Sequence, residues 1–104
     1  MRYSKHYSKL DEDEYTTIRR YKKSRIVGKV EEEILNYRVL HRAMIKRIVA
    51  LAFNFIATDL LLKDTDCQTR QEAFDLIQAF YKKPIDKSKE KLFIFYMKKV
   101  NKIG

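Results

Sequence analysis

The six residues Leu92-Phe93-Ile94-Phe95-Tyr96-Met97 are apolar at odd and even positions alike. Short runs of β-branched and aromatic residues favour a strand. A strand sends alternate side chains to opposite faces, so this one needs cover on both. It is therefore expected to be a central strand, and the sheet around it must find two apolar layers within 104 residues.

Other segments can supply those layers. Tyr15 to Tyr21 reads as a strand, β-branched at Thr16, Thr17 and Ile18. Gly28, between Ile26-Val27 and Val30, predicts a turn with positive φ. Val30 to Leu35 is a second strand, with Glu31 and Glu33 facing away from Val30, Glu32 and Ile34. The run Glu31-Glu32-Glu33 is expected to face solvent. Asn36 opens a tight turn into the longest strand, Tyr37 to Val49. Alternation places Val39, His41, Ala43 and Ile45 on one face and Arg38, Leu40, Arg42, Met44 and Lys46 on the other. With Val39, Ala43 and Ile45 inward, Ile48 falls on the wrong face, which predicts a bulge near Lys46.

Helices are expected over Ser4 to Leu10, closed by the acidic turn Asp11 to Glu14, and over Thr58 to Lys63. Thr69-Arg70-Gln71-Glu72 is a capping box, followed by Ala73, Leu76, Ile77 and Phe80 at helical spacing, with Pro84 as the stop. The fold class is α+β: a single domain with a small curved sheet or barrel and helices plugging one side.

The charge is lopsided, with 23 Lys and Arg against 14 Asp and Glu, a formal net charge of +9. Such a field attracts polyanions, and phosphate backbones are the densest of these. The lone Cys67 precludes an internal disulfide and lies in the acidic stretch DTDCQT, so it is not read as a nucleophile. His6 and His41 lack ligand spacing, and Asp64 and Asp66 lack the EF-hand pattern, so no metal or cofactor is expected. The opening MRYSKHYSKL has no apolar core of a signal peptide. The most apolar run, Leu51 to Leu62, is broken by Asn54 and Asp59 and is shorter than the ~20 residues that span a bilayer. The expectation is a cytoplasmic protein without a membrane segment.

The positive charge is clustered. Arg19, Arg20, Lys22, Lys23 and Arg25 surround Tyr21. A sheet wall cannot bury charge on both faces. Arg19, next to apolar Ile18, is therefore expected to point into a cleft, where a guanidinium grips a phosphate or base edge with two bonds. Arg20, Lys22, Lys23 and Arg25 form the outer basic rim, and Lys46 joins the same nucleic-acid-binding set. Tyr21 is the ring expected to be exposed for base stacking. The alternative is a solvated edge strand whose charges prevent aggregation.

The order of elements and several local words resemble the ASCH domain, a PUA-like β-barrel family. Its Lys-x-x-(Glu/Thr)-x-Arg signature falls on Glu14, Thr17 and Arg19 in EYTTIR, and its turn on Val27-Gly28-Lys29. Its acidic helical insertion falls on DTDCQTRQEAFDLIQAFY and its closing strand on LFIFYMKKV. The resemblance implies a PUA-like fold and a nucleic-acid partner, RNA favoured over DNA. The small N4-acetylcytidine amidohydrolases are the closest in layout. They imply the alternative of a hydrolase, acting on an acylated nucleobase or an RNA phosphodiester, with Thr17 and Asp66 as catalytic groups. The family's lysine position holds Glu14, which cannot supply positive charge to a developing oxyanion. If chemistry survives that change, Lys9 or Lys46 is the first lysine to consider.

Overall fold

The computed structural model describes residues 1–100. The apolar run forms β5 (Lys91–Lys99), antiparallel to β4 (Arg38–Ala52) on one side and to β2 (Glu14–Arg19) on the other. β3 (Val30–Leu35) pairs with β4, and the two-residue β1 (Arg2–Tyr3) joins β3 in parallel. The sheet order is β1-β3-β4-β5-β2.

Each face of β5 carries its own core, as its sequence requires. Phe95 and Met97 pack with Tyr3, Tyr15, Ala43 and Ile45 on one side. Leu92 and Ile94 face the other way, onto α1 (Thr58–Thr65), α2 (Arg70–Gln78) and the 3-10 turn Phe53–Phe55, through Phe53, Leu61, Ala73 and Ile77. Tyr3 on one edge strand and Tyr15 on the other both donate hydrogen bonds to Glu33 of β3, so the sheet curls until its edges approach each other. The protein is an α+β half-barrel with helices on one side.

Several local features follow the sequence closely. Gly28 has φ 92°, and Asn36 and Tyr37 have φ 51° and 63°, forming the two-residue turn between β3 and β4. The pairing of β4 with β5 slips between Ile45 and Arg47, leaving Lys46 as the bulged residue and returning Ile48 to the core. The Thr69 hydroxyl caps α2 by accepting from the Glu72 N–H.

Other features differ, each for a local reason. The expected first helix shrinks to a 3-10 turn at Ser8–Asp11, entered by the Leu10 N–H donating to the Tyr7 carbonyl at 3.0 Å. β2 stops at Arg19 and does not reach Tyr21. Val39 is 50% exposed because β5 pairs with β4 only from Ala43 onward. Glu33 is fully buried, contrary to a solvated acidic run, because two phenols and the Met1 ammonium converge on its carboxylate. Finally, α2 ends at Gln78, well before Pro84. The Gln78 amide ties down the chain beyond it, donating to the Tyr81 and Lys83 carbonyls and accepting from the Ile85 N–H.

Candidate functional site

The gap between the two sheet edges is where the predicted residues gather. Alternation along β2 turns Tyr15, Thr17 and Arg19 to the inner side, opposite Met97, Phe95 and Phe93 of β5. Arg19 crosses the gap: its Nη2 donates to the Arg2 carbonyl on β1 at 2.7 Å and its Nε to the buried Thr17 hydroxyl at 3.3 Å. Its guanidinium lies 5.0 Å from the Tyr3 ring centroid. One side chain therefore closes the half-barrel.

Beyond Arg19 the chain leaves the sheet, and a turn between the Lys22 carbonyl and the Arg25 N–H brings both residues back beside Arg19. An open groove of about 570 Å³ results, lined by Arg2, Arg19, Lys22, Arg25 and Lys29, with Glu31 and Glu32 as its acids. Arg25 is the most enclosed of these cations, with its guanidinium 5.9 Å from the Phe95 ring centroid. Its Nε is buried without a hydrogen-bond partner among the described residues, and the nearest Glu31 oxygen is 3.8 Å away. Burial, reinforced by the Arg19 charge, lowers its affinity for a proton.

The remaining predicted rim residues divide. Arg20 is committed elsewhere: its Nε and Nη2 fork onto Glu90 at 2.7 and 3.0 Å, Nη2 also meets the Pro84 carbonyl, and the Tyr81 ring lies beneath. Its hydrogen bond to Glu90 raises its pKa further. Lys23 is exposed and outside the groove. Tyr21 is 65% exposed, but its ring leans on Phe93 at 5.1 Å. Lys46 lines a separate cavity of about 280 Å³ together with Glu14, Lys63 and Tyr96.

Two further spaces open from Arg19. A basin of about 400 Å³ joins Arg2, Arg19 and Arg25 to the rings of Tyr3, Phe80 and Tyr81. Deeper in, a chamber of about 30 Å³ is lined by Thr17, Lys9 and Asp64 among others. That volume matches the share of one water in the liquid, ~30 Å³. Lys9 Nζ lies 3.2 Å from Asp64 Oδ1, both side chains are almost fully buried, and the Thr16 hydroxyl donates to the same oxygen at 2.7 Å. The Tyr3 and Tyr7 rings flank the amine at 5.6 and 5.4 Å. Burial lowers the Lys9 pKa and raises that of Asp64, pushing both toward neutrality against their mutual attraction.

Asp66 occupies a different position. It ends α1 in the left-handed region, φ 55°, and its carboxylate accepts from the Ser8 N–H at 2.7 Å and the Ser8 hydroxyl at 2.5 Å. Desolvation pulls its pKa up, but the Ser8 bonds outweigh it and the net direction is down. Asp64, two residues earlier and within α1, shares the chamber with Thr17. Sequence reasoning missed Asp64, Arg2, Lys29 and Phe80. Of the buried ion pair the sequence singles out Lys9 alone, and nothing in it pairs Lys9 with Asp64.

Among the described residues, no group of three or more His, Cys, Asp or Glu is placed to hold a metal ion. No described helix is long and apolar enough to cross a membrane. Comparison of the chain with protein-family models, with curated proteins and with solved structures finds no match in any of the three.

Proposed function

We propose that the protein binds nucleic acid, RNA in preference to DNA, along the groove between its sheet edges. The observation that carries this reading is the groove itself, where five cations meet two acids and the buried Arg25 Nε has no hydrogen-bond partner among the described residues. A phosphate in the groove would balance the excess of cations and add to the compensation that Glu31 gives Arg25 from 3.8 Å. The preference for RNA comes from the PUA-like resemblance and is an argument from fold analogy.

Charge reversal tests it. Lys22→Glu with Lys29→Glu, combined with Arg25→Gln, should lower affinity for an RNA oligonucleotide on the order of tenfold or more, while circular dichroism stays unchanged. Lys23→Glu, outside the groove, serves as the control and should change affinity little. Unaltered binding by the triple variant, or an equal loss from the control, contradicts the groove as the site.

A second reading has one observation in its favour: Lys9 reaches the chamber that the Thr17 hydroxyl lines, beside Asp64. A neutral amine there can take a proton from a nucleophilic hydroxyl or water, and the Arg19 guanidinium can stabilise an oxyanion. On this reading the protein hydrolyses an acylated nucleobase. Incubation with N4-acetylcytidine should release cytidine, with turnover lost in Thr17→Val and in Lys9→Met. Absence of turnover by the unmodified protein rejects hydrolysis of this substrate and leaves the binding groove untouched.

A further inference from the structure

We infer that the protein takes its nucleic acid as a single strand, seating one unpaired base against Phe80 while Arg2, Arg19 and Arg25 hold the neighbouring phosphates. The inference rests on the nucleic-acid reading above and adds the form of the ligand to it.

Phe80 is the starting point. α2 ends two residues earlier, so the ring projects beyond the helix into the basin, 50% exposed. The other rings there have partners: Tyr3 carries Arg19 and Lys9 against it, and Tyr81 carries Arg20 and accepts from the Arg20 N–H at 3.0 Å. Phe80 has neither a ring nor a cation stacked on it among the described residues. Its backbone is nevertheless held. The Phe80 N–H donates to the Ile77 carbonyl at 3.2 Å, and the Gln78 amide secures Tyr81. The open ring face is presented on an ordered support, which lowers the entropy cost of binding.

The chemistry around that face is selective. An apolar ligand would make no use of the three guanidiniums, and a simple anion would leave the ring in water. A nucleotide supplies a flat π-face and a phosphate within one residue of chain, matching both halves of the basin. The basin's 400 Å³ lies within the ~300–1,000 Å³ usual for ligand pockets. A base paired within a duplex has both faces stacked on its neighbours and cannot turn one onto the Phe80 ring. Groove phosphates can be met by either form, but Phe80 only by a single strand.

The test compares a fluorescein-labelled RNA ten-mer with the same sequence annealed to its complement. Phe80→Ala should weaken single-strand binding about tenfold, the scale of one base–aromatic stack, and leave duplex binding within about twofold. Phe80→Trp should restore the single-strand affinity. Because Phe80 is half-exposed and outside the helix, the alanine variant should keep the unmodified thermal midpoint. Loss of affinity for both forms alike, or no loss for the single strand, overturns the inference while the groove reading stands. Failure of the unmodified protein to bind either form at low salt overturns the groove reading and this inference with it.

Discussion

Glu33 has no exposed surface, and its carboxylate accepts from the Tyr3 and Tyr15 hydroxyls at 2.9 and 2.6 Å. Tyr15 also meets His41 Nε2 at 2.8 Å, so the network spans four strands, β1 to β4. Glu33→Leu should therefore destabilise the fold by about 3–5 kcal/mol, since it leaves buried polar groups without an acceptor. Glu33→Gln keeps an acceptor oxygen and should cost less. Urea unfolding of both variants measures this, and equal stability of Glu33→Leu and the parent would contradict a structural role. Period-two alternation put Glu33 and Glu31 on one face, but not which of three successive glutamates the tyrosines would capture. Those tyrosines lie on different strands, and only folding brings them together. Arg19 was legible for the opposite reason: its position follows from Ile18 beside it on one short strand. The Lys9–Asp64 pair joins a 3-10 turn to α1, a contact that no local pattern encodes.

The same division holds for whole elements. The β4 bulge and the start of α2 follow from rules acting over a few residues, periodicity in one case and side-chain capping in the other. Thr69→Ala should cost about 1 kcal/mol by removing the acceptor for the Glu72 N–H. Chemical denaturation checks this, and a variant as stable as the parent would mean that water replaces the cap. The end of α2 was not legible, because Gln78 captures backbone groups as far as Ile85 and so overrides the simpler stop at Pro84. That early end leaves Phe80 in the basin instead of on the core stripe. The end of β2 matters similarly. A longer strand would have sent Lys22 and Arg25 to opposite faces, whereas the turn after Arg19 gathers them into one groove.

At the scale of the molecule, an open half-barrel exposes two edges, and charged side chains commonly protect such edges from pairing with other chains. That role alone would account for the exposed Lys22 and Lys23. It does not account for a groove in which the Arg25 Nε is buried without a hydrogen-bond partner among the described residues and Arg19 bridges the two edges. The net charge of +9 gives attraction at a distance, and the groove gives it a place to act. The measurement that bears most directly on this account is the salt dependence of binding by the unmodified protein. Affinity for a single-stranded RNA should fall linearly in log K against log salt between about 50 and about 200 mM. A slope of about −2 to −3.5 is expected, corresponding to three to five phosphates at ~0.7 each. A flat line, or no binding at the lowest salt, would contradict it.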